Sequence, residues 1–394
     1  MGKDRALVIG GGIGGLAAAL ALRRVGIETV LFEQQDDPRK IQVGGGIHMW
    51  ANAMQVLRHI GVADEVGAAG APIVRTEFRT WKGSLLATWQ VGEVASVYGI
   101  QDVGIGRGEL QRVLVAAQGE ADLRVGMRCA GFEQDATGVT ARFADGTEER
   151  GGVLIGADGI HSTIRAQLLG AEPPRYAGYA QLQALVDGAA DLLPAGVERV
   201  VFGRGRRAVM HPVGGGALFW AAAIYEPEGT VAAPGTRREA MLDRFRGWER
   251  PIEEAIGATP DEAIVGFDIY DRPPVERWST GRVTLLGDAA HPMTTNLSQG
   301  GCQALEDAAV LASSLAGAAD VPTGLRAYDE RRIPRTSTLV KQSRGVARMG
   351  RIKNPVAAAV RDRVTSFVLG GPGFKDYRKL AAETMGAVDA PTAA

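Results

Sequence analysis

The first residues whose types and spacing could support chemistry are glycines near the N-terminus. The pattern G-x-G-x-x-G is formed by Gly10, Gly12 and Gly15, with Ile13 and Gly14 inside it. In this pattern the first glycine permits a tight turn, the second lets the backbone approach a diphosphate, and the third lets a helix pack on a strand. Glu33 lies where a carboxylate can accept hydrogen bonds from an adenosine ribose. The spacing predicts a dinucleotide site but does not distinguish NAD from FAD.

Two aspartates farther along the chain have a related context. Asp158 follows the apolar run 153–155, and Asp288 follows the apolar run 283–286. We expect both at the carboxyl ends of buried strands next to glycine, where ligands of open α/β sheets bind. The chain then continues to Gln299, Gly300 and Gly301, at the predicted start of a helix.

The hydrophobic pattern predicts the elements that must position these residues. Residues 5–9 and 28–33 are predicted as buried parallel strands on either side of a helix over 14–25. A hairpin is predicted around Lys82-Gly83, and a helical pattern covers residues 237–256. A second strand–turn–helix unit is predicted near residue 285, and mostly strand-like segments lie between the two units. The pattern therefore indicates two domains whose chain segments alternate.

Composition excludes several classes of protein. Among 394 residues, 44 lysines and arginines nearly balance 45 aspartates and glutamates, so a dedicated nucleic-acid binder is not expected. The two cysteines, Cys129 and Cys302, are too few for a disulfide framework and are not in a metal-ligand spacing. No uncharged stretch is long enough to span a bilayer, and the N-terminus does not resemble a signal peptide. We expect a cytoplasmic protein with no metal site.

Taken together, the motifs resemble those of a known family. The glycine motif, Asp158-Gly159 and Gly287-Asp288 occur in the order found in single-component FAD-dependent aromatic hydroxylases, typified by para-hydroxybenzoate hydroxylase. The segment Asp271–Pro274 extends the resemblance, which covers residues 5 to about 315. The chain looks most similar to the branch that contains salicylate and urate hydroxylases and zeaxanthin epoxidase-like proteins.

The resemblance implies an α/β fold. It predicts a doubly wound, Rossmann-like FAD-binding domain, an interleaved mixed β-sheet substrate domain and C-terminal helices. The FAD-binding domain would comprise residues 1–72, 100–175 and 276–350, and the substrate domain residues 73–99 and 176–275. Residues 351–394 would form a C-terminal helical segment and tail.

The same resemblance implies which residues hold FAD. The ADP half would be held by Gly10, Gly12, Ile13, Gly14, Gly15 and Glu33. Gly45, Gly46 and Ile47 match a segment beside the flavin, and Arg107 matches an arginine at the central part of the cofactor. Asp288 would accept hydrogen bonds from the ribityl chain, and Asp158 is implied on the pyrophosphate side. Pro292, Gln299, Gly300 and Gly301 would border the isoalloxazine ring.

Residues that act on the substrate are less well defined by the resemblance. His211 falls where relatives line the substrate pocket, so it is the candidate base, and Pro292 is the second candidate next to the reaction. His48, Met49, Trp50 and Trp220 are candidate pocket walls. Ordinary core packing is the alternative interpretation of each of these side chains.

The implied function is that of an FAD-dependent monooxygenase. It would use NADPH or NADH and O2 to hydroxylate an aromatic small molecule through a flavin C4a-hydroperoxide, in specialised metabolism or aromatic catabolism. Epoxidation of an olefin, flavin binding that stabilises a reactive intermediate without oxygenation, and a plain NAD-dependent dehydrogenase are the alternatives. The first two stay open, whereas the flavoprotein context of Asp158 and Asp288 disfavours the third. The chain could be a monomer or a homodimer.

Overall fold

The computed structural model describes residues 5–37, 45–119 and 122–388. Its strands are β1 (Arg5–Ile9), β2 (Glu28–Phe32), β3 (Gly46–Met49), β4 (Ala71–Ile73), β5 (Arg75–Thr80), β6 (Leu85–Trp89), β7 (Asp102–Gly106), β8 (Leu123–Arg124), β9 (Cys129–Gln134), β10 (Val139–Phe143), β11 (Glu148–Gly151), β12 (Val153–Gly156), β13 (Arg175–Val186), β14 (Val197–Phe202), β15 (Arg206–Pro212), β16 (Leu218–Ile224), β17 (Val265–Asp271) and β18 (Val283–Leu285). Its α-helices are α1 (Ile13–Arg24), α2 (Ala51–Ile60), α3 (Ala63–Ala69), α4 (Gly92–Tyr98), α5 (Arg107–Gln118), α6 (Thr163–Leu169), α7 (Arg237–Phe245), α8 (Arg250–Ala258), α9 (Gly300–Ala316), α10 (Val321–Gly350), α11 (Pro355–Gly370) and α12 (Pro372–Val388).

A five-stranded parallel sheet holds the nucleotide-type turns. Its strand order is β18-β12-β1-β2-β8, so strands from distant parts of the chain lie side by side. The central strands are apolar and almost completely buried, as expected for a parallel sheet that is covered on both faces. Helices α1 and α9 and the three-stranded antiparallel sheet β9–β11 share one hydrophobic core with it.

A seven-stranded mixed sheet forms the second layer. Its order is β17-β13-β16-β15-β14-β5-β6, in which β14 and β5 are parallel and the other pairs are antiparallel. Helices α7 and α8 cover one face of this sheet with their own core. A smaller three-stranded sheet, β3-β7-β4, contacts β15 of the mixed sheet through β4 and β7.

The predicted fold class is confirmed, because a parallel α/β layer, a mixed sheet and C-terminal helices are all present. The hairpin predicted around Lys82-Gly83 is β5–β6. The helical pattern over 237–256 corresponds to two helices, α7 and α8. Gly247 separates them with a left-handed φ of 76°, which a continuous helix does not allow. The proposed domain boundaries stay a prediction, and the end of the predicted tail, from residue 389 onward, lies outside the described residues.

Within the described ranges, every helix is too short or too polar to cross a lipid bilayer.

Candidate functional site

The glycine-rich turn between β1 and α1 has two kinds of glycine. Gly10 has a φ of 109°, and a Cβ on Gly15 would overlap the carbonyl oxygen of Gly10, so these two positions require glycine for the turn and for close packing. Gly12 differs, because a Cβ there would meet nothing within 4 Å. Its open side faces a cavity. The turn is therefore tightly packed against the protein at its ends and open at Gly12.

Glu33 lies at the end of β2, beside this turn. Its carboxylate accepts hydrogen bonds from the backbone N–H groups of Gly11, at 2.7 Å, and Gln35, at 2.8 Å. These bonds fix the carboxylate next to the turn, at the position where the sequence predicts a ribose contact.

The cavity lies between the parallel sheet and the mixed sheet and has a volume of about 280 Å³. One wall is formed by nucleotide-type turns and helix starts, namely Gly12, Ile13, Gly14, Arg107, Ala157, Gly159, Leu286, Gly287, Asp288, Gly300, Gly301 and Ala304. The other wall is formed by Gly46, Ile47, His48, Gln181, Gln183, Val209, His211, Phe219 and Ala221. The remaining lining residues are Met293, Thr294, Thr295 and Ser298. The cavity thus joins a phosphate-type cradle to a partly apolar sheet surface.

Arg107 and Asp288 bring opposite charges to the first wall. Burial lowers the pKa of Arg107, and the nearby Asp288 carboxylate opposes that shift. The surrounding protein raises the pKa of Asp288, although its side chain opens onto the cavity, and the neighbouring His291 and Arg107 oppose this rise. The backbone N–H of Arg107 also donates to the carbonyl of Gly45 at 2.8 Å, which connects the start of α5 to β3.

The start of α9 also faces the cavity. No side chain among the described residues caps this end, and Gly300 and Gly301 in its first turn line the cavity. A helix N-terminus of this kind favours negative charge. A Cβ on Gly301 would come within 2.8 Å of Ile47 Cδ1, so glycine here lets β3 approach the helix closely.

A buried ionic network holds this helix start and the Gly287-Asp288 turn together. Asp307 Oδ2 accepts from His291 Nε2 at 2.5 Å and from the backbone N–H of Gly287 at 3.0 Å. Arg332 donates to Asp307 at 2.6 Å and to Glu306 at 2.7 Å. The network therefore determines where Asp288 lies without itself reaching the cavity.

His48 lies at the centre of a second buried polar cluster. Its Nδ1 is 3.1 Å from Glu198 Oε1, and its Nε2 is 3.1 Å from Asp102 Oδ2. Burial alone would lower the pKa of His48, but the two carboxylates raise it to about 9. Glu198 has its pKa lowered to about 2, because His48 outweighs the effect of burial. Tyr377 donates to Asp102, so α12 is tied to this cluster. His48 is accordingly an imidazolium near neutral pH.

The pKa of His211 on β15 is shifted in the opposite direction from that of His48. Burial, together with the positive charge of His48 at a ring-to-ring distance of 6.2 Å, lowers the pKa of His211 to about 4, although the Glu198 carboxylate opposes this shift. Its Nδ1 is 3.2 Å from the carbonyl oxygen of Pro212, so Nδ1 carries the proton and donates it. The neutral ring therefore offers Nε2 as an acceptor.

Three predicted cofactor residues are engaged elsewhere. Asp158 accepts from the Ser162 hydroxyl and from the backbone N–H groups at the start of α6, so it caps that helix. The Gln299 side chain accepts from Asn52 at 3.1 Å. The carbonyl of Pro292 accepts from the backbone N–H of Arg272 at 3.3 Å. None of the three lines the cavity within the described part of the chain.

The expectation that Trp220 is a pocket wall is corrected by the structure. Side chains alternate along a strand, so Phe219 and Ala221 face the cavity while Trp220 points to the opposite face of the mixed sheet. There it packs under α8, and its Nε1 donates to Thr259 at 2.9 Å. Met49 is fully buried near Gly301, and Trp50 stacks on His48 at 3.9 Å, so neither lines this cavity. Of the predicted walls, His48 and His211 are brought to it.

Several lining residues were missed by reasoning from the sequence. Gln181 and Gln183 on β13 are both buried, and the Gln181 amide donates to Gln183 at 2.8 Å. Two glutamines at alternate positions of an otherwise apolar strand indicate a polar strip on one face, so a signal was present. No sequence pattern marks Glu198 and Asp102 as partners of His48. Their role is seen only in the folded structure, where His48 lies between the two carboxylates.

The described residues fit a dinucleotide with a redox-active ring. The open position at Gly12 leaves space for a diphosphate next to the start of α1, where no described side chain caps the helix. The same cavity continues past Arg107 and Asp288 to the second uncapped helix start at Gly300. An elongated ligand with a diphosphate at one end and a ring with polar edges at the other would place each of these parts at one of the two helix starts.

Comparison with known proteins gives a consistent result. The sequence profile of the FAD binding domain matches residues 3–343. The chain is 41% identical over 362 residues to the aurachin C monooxygenase/isomerase of Stigmatella aurantiaca, covering 91% of this chain and 92% of that protein. It is 39% identical to the 3-amino-4-hydroxybenzoate 2-monooxygenase PtnB3 of Streptomyces platensis, covering 87% of each chain.

The structure is similar to that of a protein solved with its ligands. Klebsiella pneumoniae HpxO, crystallised with FAD and uric acid, superposes with a TM-score of 0.89 at 31% identity over 96% of both chains. Salicylate hydroxylase has the same fold, with a TM-score of 0.75 at 24% identity over 96% of this chain and 98% of that one.

Proposed function

We propose that this chain, which belongs to the FAD-binding-domain family of FAD-dependent monooxygenases, inserts one oxygen atom into a neutral aromatic ring held against the mixed sheet. The observation that carries the proposal is that the nucleotide-type wall and the wall containing Gln181, Gln183, His211 and Phe219 border the same cavity. A cofactor on the first wall and a small molecule on the second would then be in contact. NADPH or NADH would be oxidised, and the second oxygen atom of O2 would leave as water.

Named residues would hold FAD in this arrangement. The backbones of Gly12, Ile13 and Gly14 would contact the diphosphate, and Glu33 the adenosine ribose. Arg107 and Asp288 would contact the central part, and the start of α9 at Gly300 and Gly301 would stabilise negative charge on the ring. FAD, when bound, supplies the redox chemistry that activates oxygen at the expense of NAD(P)H.

The charge pattern of the second wall favours a neutral substrate. His48 is positively charged but already lies between Glu198 and Asp102, and the glutamine amides are neutral. His211 is neutral at pH 7, so its Nε2 can accept a hydrogen bond from a ring hydroxyl or amino group. Phe219 and Val209 supply apolar contact for the ring, and exclusion of water from this surface protects the reaction. His211 would thus orient the ring rather than remove its proton.

The remaining expectations follow from this activity. The substrate would be an aromatic small molecule that carries a hydroxyl, amino or keto group, and O2 would be the co-substrate. We propose a cytoplasmic enzyme that works as a monomer or a homodimer.

Incorporation of labelled oxygen tests the proposal. FAD-loaded protein is incubated with NADH or NADPH under ¹⁸O2 and a panel of phenols, aminophenols, quinolones and fused-ring aromatics. The expected result is one compound that accelerates NAD(P)H oxidation and gains one ¹⁸O by mass, with a raised KM in the variant His211→Phe. Acceleration with release of hydrogen peroxide and no labelled product, for every compound, would contradict oxygen insertion.

A further inference from the structure

A second cavity lies beside the candidate active site and is not used by the function proposed above. It has a volume of about 320 Å³, within the range of roughly 300–1,000 Å³ that is usual for ligand sites. We call it the side cavity. It is enclosed by β5 and β14 on one side, by α10 and α11 on the other, and by Trp50, Trp89 and Leu297.

Most of the residues that line the side cavity are hydrophobic. Its hydrophobic residues are Trp50, Phe78, Trp89, Val200, Phe202, Leu297, Val346, Met349, Val364, Val368 and Leu369. Two of its polar residues are already paired, since Thr76 donates to Glu198 at 2.9 Å and Glu198 also contacts His48. Arg207 also lines the cavity, and burial lowers the pKa of its guanidinium. An apolar ligand group that lies against the hydrophobic residues gains from leaving water.

The side cavity adjoins the candidate active site through shared lining residues. A narrow cavity lined by Arg207, Ala223 and Asn296, among others, lies between the two. It shares Gln181, Val209, Ala221, Thr295 and Ser298 with the active-site cavity, and Arg207, Asn296 and Ser298 with the side cavity. Ser298 borders all three spaces and has a left-handed φ of 53°, which turns the chain sharply at this junction.

The other end of the side cavity reaches the protein surface at α11. Val364 and Val368 line the cavity and are also exposed, at 52% and 44%. They belong to an exposed apolar row on this helix that includes Val360 and Phe367, at 61% and 79% exposure. Contiguous exposed apolar residues on a folded protein mark an interaction site. Here they surround the opening of an apolar cavity.

We infer that the side cavity binds a hydrocarbon chain attached to the aromatic ring of the substrate. The ring lies at His211 and Phe219, the chain passes Ser298 and Arg207, and its far end lies among Val200, Phe202 and the α11 side chains. This inference rests on the proposed function for the identity of the ring, and it narrows the substrate class to aromatic compounds with a long apolar substituent.

A chain-length series tests the inference by binding, without turnover. The FAD-loaded protein is titrated with 4-methylphenol, 4-propylphenol, 4-pentylphenol and 4-heptylphenol, and the change in flavin absorbance gives each Kd. We expect Kd to fall by about three- to fourfold for each added methylene group that enters the side cavity. A series without any dependence on chain length would overturn the inference.

Cavity-filling variants locate the effect. Val200→Phe fills the buried floor of the side cavity and is expected to abolish the gain with chain length while leaving the Kd of 4-methylphenol unchanged. Val364→Trp narrows the opening and serves as the second variant if Val200→Phe has lost its FAD or melts early. Val360→Trp is the matched control, because Val360 lies on the same exposed row but does not line the cavity. An equal loss in Val360→Trp, or none in Val200→Phe and Val364→Trp, would overturn the assignment.

The binding experiments test the side cavity separately from the oxygenation reaction. If long chains bind more tightly through Val200 but no compound is oxygenated, the side cavity is correct and the proposed function fails. If short phenols are oxygenated and chain length has no influence, the proposed function stands and the side-cavity inference fails.

Discussion

Arg332 on α10 donates through Nε to Oδ1 of Asp307 on α9 at 2.6 Å, and both side chains are buried. Asp307 in turn holds the Gly287-Asp288 turn through its other oxygen, so a residue outside the cavity determines the position of Asp288. Opposing charges raise the pKa of Arg332 and, against the effect of burial, lower that of Asp307 to about 2.

Replacing Arg332 with leucine is expected to destabilise the protein by about 3–5 kcal/mol, since it leaves Asp307 and Glu306 as buried charges without this partner. FAD affinity is expected to fall as well, because the Gly287-Asp288 turn loses its support. Urea unfolding with and without FAD measures both effects. Arg326→Leu, at an exposed site on the same helix, is the control and should leave both unchanged. Equal stability of the two variants would show that the network is not structural.

Asp288→Asn is expected to reduce FAD affinity by tenfold or more, because an ionised acceptor of a hydrogen bond contributes about 1.5–3 kcal/mol. The side chain is exposed to the cavity, so the melting temperature of the FAD-free protein should hardly change. Fluorescence titration with FAD measures the affinity, and Asp191→Asn at an exposed site is the control. Unchanged affinity would remove Asp288 from the proposed cofactor contacts.

Gly12→Ala is expected to impair FAD binding, whereas Gly15→Ala is expected to destabilise the fold itself. A methyl group on Gly12 points into open space, so the FAD-free protein should lose less than about 1 kcal/mol of stability while FAD binding is strongly weakened. A methyl group on Gly15 overlaps the Gly10 carbonyl, and we expect a loss of about 3 kcal/mol or more with or without FAD. Thermal melts and FAD content of both variants distinguish the two effects. Normal FAD content in Gly12→Ala would argue against the diphosphate contact.

The pKa of His48 leads to a prediction about pH. Because its pKa is raised from 6.5 to about 9 in the folded protein, its protonation stabilises the fold fully below pH 6.5, and this contribution is lost as pH rises through 9. The stabilisation is on the order of 3 kcal/mol. We expect the free energy of unfolding of the wild-type protein to fall between pH 6.5 and 9. In His48→Gln the fall over the same pH range should be much smaller.

Chemical unfolding at intervals of pH between 6 and 9.5 measures this difference. His161→Gln is the control, since His161 is exposed and its replacement should preserve the wild-type slope. Identical slopes in wild type and His48→Gln would show that His48 is not protonated between Glu198 and Asp102.

The order of the elements was predictable because it depends on local pattern. The apolar run 5–9, the glycine turn and the helix after it follow from neighbouring residues, and the hairpin follows from alternation around Lys82-Gly83. The break between α7 and α8 also depends on local residues, namely Gly247 with its left-handed φ and the proline in the first turn of α8. Hydrophobic pattern alone does not show this break.

Site residues that belong to sequence motifs could be predicted, whereas those that depend on how distant segments pack could not. Arg107 and Asp288 could be identified from sequence context and line the same cavity. The ionised state of His48 could not, because Asp102 and Glu198 belong to different sheets and meet His48 only after folding. Trp220 was misplaced for a related reason, since the register of β16 decides which face each side chain occupies.

The order of strands in the parallel sheet has a consequence for synthesis of the chain. β12 lies between β1 and β18, so the sheet gains its edge strand only after residue 285 has been made. A nascent chain that ends before that point exposes the unpaired edge of β12 and the apolar faces that α9 would cover. Such a sheet of sequence-distant strands forms slowly and is vulnerable to aggregation while incomplete. Fragments that stop between β12 and β18 should therefore need chaperones on the ribosome, and the whole chain should fold largely after release.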